Sequence, residues 1–189
     1  MRIAKRGLLA LMTIAACWSV PASAFTLTGT MWERVSKASA CNAPPLLLYS
    51  LAIQESRHSV GSGLIRPHPF ALRNAVSGSK YPASKAEAAK LLAQYIQEDP
   101  LTDIGMMQIN LRWNGNRVAS PEMLLDPETN IAVAAQILCE ALSIKRDDIE
   151  LGIGGYHTMN PKREIDARAY ARSVLLIWRS LQALERSGS

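Results

Sequence analysis

A glutamate at the end of a predicted apolar helix is the side chain best suited to acid–base chemistry. Three apolar residues precede Glu55 by seven, four and three positions: Leu48, Leu51 and Ala52. These spacings place Glu55 on the same helix face as the apolar side chains. Burial and the negative end of the helix dipole both raise a carboxyl pKa, as a general acid near neutral pH requires. The alternative is a helix-end glutamate turned to solvent.

A second segment carries amide side chains suited to sugar recognition. Gln108 and Asn110 alternate with apolar residues, so a strand over this segment has one polar, amide-bearing face. Amides suit sugar hydroxyls and N-acetyl groups because each can donate and accept hydrogen bonds. Gly105, just before them, permits close backbone approach. The alternative is an edge strand with solvated polar residues.

The elements that must position these residues are predicted to be mainly helical, with a small β-hairpin region. Helices are predicted over 31–39 and 45–56, and others begin after Ser84, Asp126 and Asn160, where capping residues stand before helical patterns. Residues 59–81 are rich in Gly, Pro and Ser and predict a loop with a short hairpin around 70–72. Two glycines precede Tyr156, and such a pair predicts a turn that can bring the tyrosine hydroxyl to the wall of a cleft. The alternative is that Tyr156 is a half-buried core residue.

Together these segments resemble the catalytic domain of the soluble lytic transglycosylases, a family with a goose-lysozyme-like fold. The motifs are AIQES at 52–56, GMMQIN at 105–110, a stretch beginning at Asn130, GYH at 155–157 and a late Tyr170. The resemblance covers about 45–178. It implies a lysozyme-like α+β domain over 25–189, with a hairpin region flanking a substrate groove.

The fourth motif departs from the family pattern. The usual alanine-tyrosine-asparagine is replaced by a form in which His157 stands at the asparagine position. This tyrosine-histidine-threonine form looks like that of the small transglycosylases of conjugation and type IV secretion systems. It leaves the role of His157 open between a substrate contact and a structural histidine. The stretch 57–102 is also longer than in compact members, and we expect it to form one wall of the groove.

The resemblance implies cleavage of the bond between N-acetylmuramic acid and N-acetylglucosamine in peptidoglycan, with Glu55 as the single acid/base. No second carboxylate belongs to the motifs; Asp103 is nearest, and a capping or loop role is favoured for it. The product would be a 1,6-anhydro sugar, with no cofactor and no metal. The implied substrate-binding residues are Ser56, Met107, Gln108, Asn110, Tyr156, His157 and Tyr170. Asn130 is expected to hold a helix start or loop.

The first 24 residues predict a cleavable signal peptide. A basic start is followed by an apolar stretch over 7–17 and an A-x-A signature at 22–24, with cleavage before Phe25. The alternatives are an N-terminal anchor and a lipoprotein box in which Cys17 would be lipidated. The signal predicts a periplasmic protein. Two cysteines remain after cleavage, Cys41 and Cys139, and an even pair in an exported protein favours a disulfide over two free thiols.

The composition of the chain limits the kinds of molecule that we expect the protein to bind. Without residues 1–24 the net charge falls from +5 to +2, because three basic and no acidic residues are removed. No basic run or aromatic-interleaved patch indicates nucleic acid, and the three histidines are too scattered to predict a zinc site. We expect a monomer that acts on glycan strands.

Two other functions remain open from the sequence. A lysozyme-type hydrolase would use Glu55 with water, and a wall-binding assembly component would keep the groove without the chemistry. A small exported enzyme of this kind suits local wall opening for a conjugation or type IV secretion machine, or for a pilus or type III system.

Overall fold

Seven α-helices and six short strands form residues 25–187, the part of the chain described by a computed structural model. The helices are α1 (Met31–Ala38), α2 (Pro45–Ser56), α3 (Lys85–Glu98), α4 (Leu111–Asn114), α5 (Pro127–Ile144), α6 (Ile149–Gly154) and α7 (Glu164–Ser187). The strands are β1 (Arg57–Ser59), β2 (Ile65–Pro67), β3 (Leu72–Asn74), β4 (Gly78–Lys80), β5 (Asp103–Ile104) and β6 (Ile109–Asn110). This architecture confirms the predicted fold class. The predicted signal peptide and Cys17 lie outside the described residues.

Helix α2 forms the centre of the core rather than one wall of it. Leu48, Leu51 and Ala52 are fully buried, as the spacing predicted, but Leu46 and Leu47 on other sides of the helix are buried too. Helices α1, α5 and α7 and strand β2 all pack against it, and a helix that is apolar all round belongs in the interior. Each fully buried leucine contributes about 1.5–3 kcal/mol to folding. The core therefore fixes the C-terminal end of α2, which carries Glu55.

Residues 57–80 form two hairpins, where the sequence predicted a loop with one short hairpin at 70–72. Strands β1 and β2 pair antiparallel, and β3 pairs with both β4 and β5. Strand β6 adds to β5, so the second sheet has the order β4-β3-β5-β6. In the β3–β4 turn, the Asn74 side chain accepts a hydrogen bond from the Ser77 backbone N–H at 2.6 Å. Strands of two or three residues are too short to show the alternation that predicts a strand.

Two predicted helix starts are confirmed by their capping contacts. The Ser84 hydroxyl accepts a hydrogen bond from the Glu87 N–H at 3.2 Å, at the start of α3. The Asp126 carboxylate accepts one from the Thr129 N–H at 2.9 Å, at the start of α5. Such contacts satisfy backbone donors that have no partner within the helix. Local sequence therefore determines where α3 and α5 begin.

The C-terminal region differs from the prediction in two respects. Asn160 caps a short 3-10 turn, Pro161–Arg163, and α7 begins after it at Glu164. The sequence prediction also missed α6, which is only six residues long and is capped by Asp148. A helix of that length is stabilised by its packing on α5 and α7, which no local pattern reveals.

A disulfide joins Cys41 to Cys139, as the even cysteine pair predicted. The two Cα atoms are 5.4 Å apart, and the bridge ties the segment after α1 to α5 across 98 residues of sequence. Closing so long a loop restricts the unfolded chain and stabilises the fold by roughly 5 kcal/mol in the entropy model. Within residues 25–187, none of the helices combines the length and the apolar character needed to cross a bilayer.

Candidate active site

A groove of about 1080 Å³ separates the four-stranded sheet from the helices of the C-terminal half. Arg73 and Asp103 line it from the sheet, and His157 lines it from the helical side. Glu55 and Gln108 also face this space. Sites for drug-sized ligands have volumes of about 300–1,000 Å³, so the groove is large enough for an extended ligand.

Glu55 stands in the last turn of α2, where the central helix reaches the groove. The Tyr170 hydroxyl of α7 donates a hydrogen bond to Glu55 Oε1 at 2.5 Å. Burial raises the pKa of the Glu55 carboxyl to about 7, and the charge of Asp103 acts in the same direction. The Tyr170 hydrogen bond and the charge of Arg73 oppose this rise. A carboxyl group with this pKa can give a proton and take one back near neutral pH.

Two tyrosines and a histidine form a stack beside this carboxyl group. The rings of Tyr156 and Tyr170 are nearly parallel, with centroids 6.4 Å apart, and His157 stacks on Tyr170 at 5.0 Å. The Tyr156 hydroxyl donates a hydrogen bond to the Met107 carbonyl at 2.7 Å. Burial, followed by the charge of Glu55, raises the pKa of both phenols well above the usual value. Both tyrosines therefore stay neutral and act as hydrogen-bond donors.

Close helix packing explains the glycine pair that precedes Tyr156. A Cβ on Gly154 would lie 2.4 Å from the Ala167 carbonyl oxygen of α7. A Cβ on Gly155 would lie 2.9 Å from the Ala141 Cβ of α5. Neither residue has a positive φ, so the pair is required by close approach of the helices and not by the turn conformation that the sequence suggested.

A buried asparagine holds the segment that carries Gln108. Asn130 of α5 accepts a hydrogen bond from the Met107 N–H at 2.8 Å and donates to the Ile104 and Leu124 carbonyls at 3.0 Å each. Gly105, with a φ of +78°, passes so close that a Cβ there would lie 2.4 Å from the Asn130 amide. Asn130 thus fixes a loop from beneath, in the kind of role the sequence favoured for it.

Asp103 lies in the groove wall on β5, although the sequence favoured a capping or loop role. Its Cα is paired with that of Arg73 on β3, and its carboxylate accepts a hydrogen bond from the Asn110 amide at 2.8 Å. Burial raises the pKa of Asp103. Asn110 Oδ1 is also buried and has no hydrogen-bond partner among residues 25–187. This wall therefore offers a carboxylate and a guanidinium to a ligand, whereas the Asn110 amide oxygen is not exposed to the groove.

The sequence matches the family model for the transglycosylase SLT domain over residues 70–172, more than half of the chain. The chain belongs to the transglycosylase SLT family. No curated protein and no solved structure gave a match. Membership confirms the predicted family and implies lytic transglycosylase activity on peptidoglycan. The match includes the 105–110 motif, Tyr156 and Tyr170, whereas Glu55 precedes it and contacts the matched region through Tyr170.

Two residues predicted to bind substrate in this SLT domain lie beneath the groove. Ser56 is buried, and its hydroxyl donates to the Met106 carbonyl at 2.7 Å and accepts from the His68 N–H at 3.2 Å. The Met107 side chain is fully buried. Ser56 therefore joins α2 to the 105–110 segment and to the first hairpin.

The remaining predicted residues lie on or beside the SLT groove. Gln108, Asn110, Tyr156 and His157 line it, and Tyr170 contacts Glu55. The Gln108 amide nitrogen donates to the Ala71 and Gly105 carbonyls at 3.2 and 2.9 Å. These two contacts hold the side chain in place and leave its oxygen for other partners.

Several groove residues were missed by the sequence reasoning, among them Arg73, Tyr81 and Trp113. Arg73 became relevant only through the pairing of β3 with β5. Tyr81 follows β4, and Trp113 is on α4, with 46% and 71% of their surfaces exposed. No motif marks Tyr81 or Trp113, and only their aromatic residue type could have been noted in advance.

Replacing Asp103 by asparagine should shift the alkaline limb of the pH–activity profile of this SLT domain to lower pH. The Asp103 charge raises the pKa of Glu55, so its loss leaves less protonated Glu55 at a given pH. Charge pairs of this kind contribute about 0.5–1 kcal/mol, which predicts a two- to fivefold loss of activity on the alkaline side. The measurement is the rate of sacculus digestion between pH 5 and 9.

Asparagine keeps the shape of Asp103, so Asn110 retains a partner. Glu122→Gln is the matched control, because Glu122 is exposed and lies outside the groove. An unchanged profile for Asp103→Asn, or an equal shift for both variants, would show that the Asp103 charge does not act on Glu55.

Proposed function

We propose that the protein cleaves the β-1,4 bond between N-acetylmuramic acid and N-acetylglucosamine and forms 1,6-anhydro-N-acetylmuramic acid. The observation that carries this proposal is Glu55, a half-buried carboxyl with a pKa raised to about 7, facing a long groove in an SLT domain. A single carboxyl with this pKa can serve as acid and then as base within one turnover.

In the first step the Glu55 proton passes to the glycosidic oxygen, and the bond from that oxygen to the anomeric carbon breaks. The N-acetyl group of the muramic acid stabilises the electron-poor carbon. In the second step the Glu55 carboxylate takes the proton of the C6 hydroxyl, whose oxygen then bonds to the anomeric carbon. Glu55 ends protonated, no water is consumed, and no cofactor takes part.

The tyrosines support both steps as neutral donors. The Tyr170 hydrogen bond orients Glu55 and stabilises its carboxylate form after the first proton transfer. Tyr156 is anchored to the Met107 carbonyl and lines the groove next to Tyr170. Gln108, Asn110 and His157 are the proposed substrate contacts, because their side chains line the groove. Ser56 and Met107 lie beneath the groove and hold Glu55 and the 105–110 segment in position.

The second candidate is a lysozyme-type hydrolase, which the position of Asp103 favours. A hydrolase needs a second carboxylate to activate water or to attack the sugar, and Asp103 lies in the groove within electrostatic reach of Glu55. Against this role, the Asp103 carboxylate is held by Asn110, and burial raises its pKa. The hydrogen bond occupies an oxygen that would otherwise attack the sugar or take a proton, and the raised pKa lowers the ionised fraction of Asp103 at a given pH.

The test is digestion of purified sacculi by the mature protein in water enriched in heavy oxygen, followed by mass spectrometry of the released muropeptides. Transglycosylation should give anhydro products, each lighter by one water than the reducing product and free of the label. Reducing ends that carry heavy oxygen would instead establish the hydrolase. No release of muropeptides would favour a wall-binding component.

We further propose that the protein acts in the periplasm, after cleavage of its signal peptide, to open the wall for a conjugation or type IV secretion machine. The disulfide supports export, because such bonds persist in oxidising compartments. The tyrosine-histidine-threonine form at 156–158 supports a role in conjugation or type IV secretion, because it resembles the form in the small transglycosylases of those systems. Transfer of a conjugative element should fall when the chain is deleted. Transfer restored by the wild type and equally by Glu55→Gln would refute an enzymatic role there.

A further inference from the structure

Two exposed aromatic side chains line the same groove from opposite edges of the four-stranded sheet. Tyr81 directly follows β4, and Trp113 follows β6 after two residues. These are the two outer strands of the order β4-β3-β5-β6. Neighbouring strands lie about 4.8 Å apart, so the outer two are separated by about 14 Å. The aromatic rings therefore mark two distant parts of one groove.

The catalytic carboxyl faces the middle of this sheet. The charges that act on Glu55 belong to Arg73 on β3 and Asp103 on β5, which are the two inner strands. Tyr81 lies beyond one side of this pair and Trp113 beyond the other. A polymer that lies across the sheet from one aromatic residue to the other crosses the two strands whose charges act on Glu55.

Both aromatic residues are exposed without an obvious structural reason. Trp113 has 71% of its surface exposed, and Tyr81 has 46%. The Tyr81 ring is held by two imidazoles, those of His58 and His68, each with its centroid 5.3 Å from the tyrosine ring. A ring fixed in this way loses little conformational freedom when a ligand binds. Aromatic side chains that line a cleft are typical of ligand-binding sites.

We propose that Tyr81 and Trp113 stack against sugar rings on the two sides of the scissile bond, so that the enzyme holds both of the glycan pieces that cleavage separates. The C–H groups on the face of a pyranose ring suit the negative face of an aromatic ring. Stacking does not depend on which hydroxyls are present, as suits a polymer that must be held at several points. This inference rests on the proposed function and extends it from the bond that is cut to the residues that hold the sugars around that bond.

The test measures the affinity of stem-free glycan strands by calorimetry, in a Glu55→Gln background that prevents turnover. We expect Tyr81→Ala and Trp113→Ala each to weaken binding of long strands about tenfold, and the double variant about a hundredfold, because distant sites act independently. A disaccharide, which cannot reach both aromatic residues, should not show the combined loss. Tyr81→Phe should keep the affinity, since the ring and not the hydroxyl makes the contact.

Leu176→Ala is the control for a general effect of removing an exposed apolar side chain. Leu176 has 62% of its surface exposed and lies on α7 outside the groove. Unchanged affinity in both single variants would overturn the proposal, as would an effect confined to one of them, which indicates a strand bound on one side only. A Trp113→Ala defect seen only with stem-bearing strands would assign this residue to the peptide and overturn the proposal as well.

The outcomes separate this inference from the proposed function. Binding in the Glu55→Gln background requires no chemistry, so tight binding of long strands by a protein that yields no anhydro products would refute only the proposed reaction. Conversely, release of anhydro products by the wild type, together with unchanged strand affinity in both aromatic variants, would refute only the stacking inference.

Discussion

Glu55→Gln should lose at least 1,000-fold of the muropeptide-releasing activity, because in the proposed mechanism one side chain performs both proton transfers. Glutamine has nearly the same shape and can still accept a hydrogen bond from Tyr170 through its amide oxygen, so the groove should keep its form. The glutamine amide is too weak an acid to protonate the glycosidic oxygen and too weak a base to take a proton from the C6 hydroxyl. The measurement is the initial rate of muropeptide release, with Glu122→Gln as a control that should keep full activity.

The same substitution should make the protein more stable at alkaline pH. The pKa of Glu55 is raised from 4.5 to about 7 in the folded state, so the folded protein binds this proton more tightly than the unfolded chain does. The wild-type protein therefore loses stability as the pH rises from about 4.5 to 7, by up to roughly 3 kcal/mol. Glutamine does not titrate, and this loss is absent from the variant.

Urea unfolding of both proteins at pH 4.5 and pH 8 measures this difference. Other ionisable groups are common to the two proteins and cancel in the comparison. Glu55→Gln should be more stable than the wild type at pH 8, and the advantage should shrink at pH 4.5. A variant that loses activity but is no more stable at pH 8 would show that Glu55 is solvated and has an ordinary pKa. Retained activity would remove Glu55 from the mechanism altogether.

Asn130→Ala should destabilise the fold by about 3–5 kcal/mol. The Asn130 side chain is fully buried and makes hydrogen bonds to the backbone of Ile104, Met107 and Leu124. Alanine leaves these three buried backbone groups without partners, at a cost of about 1–3 kcal/mol each. Water entering the cavity would recover part of this cost. The measurement is the urea midpoint with its slope.

Asn116→Ala is the matched control, since Asn116 is exposed and its stability change should stay within about 0.5 kcal/mol. Asn130→Asp keeps the acceptor for the Met107 N–H but removes the two amide donations, so it should also be destabilised. Activity at a temperature where Asn130→Ala is folded should fall too, because Asn130 holds the segment that carries Gln108. A loss of stability no larger than that of Asn116→Ala would show that the hydrogen bonds of Asn130 do not hold this segment.

The sequence by itself determined the features that depend on nearby residues. Ser84 and Asp126 mark the starts of α3 and α5 because a side-chain oxygen there reaches a backbone N–H three residues away. The disulfide followed from an even cysteine count in a chain with a predicted export signal. The motifs at 105–110 and 155–157 indicated the family, and the helix before Glu55 indicated a carboxyl with a raised pKa. Each inference used interactions that operate within a few residues or depend on residue type alone.

Only the tertiary structure decided which side chains face the groove and which support it from beneath. Tyr170 contacts Glu55 across 115 positions of sequence, and Asp103 enters the site because β5 pairs with β3. Ser56 and Met107 belong to family motifs, as Gln108 does, and were predicted like it to bind substrate, yet they are buried. Burial, electrostatic coupling and exposure are set by contacts between segments distant in sequence. Local spacing can indicate which face of a helix is apolar, but it does not show which distant segment packs against that face, because those contacts form only when the helices and the sheet pack together.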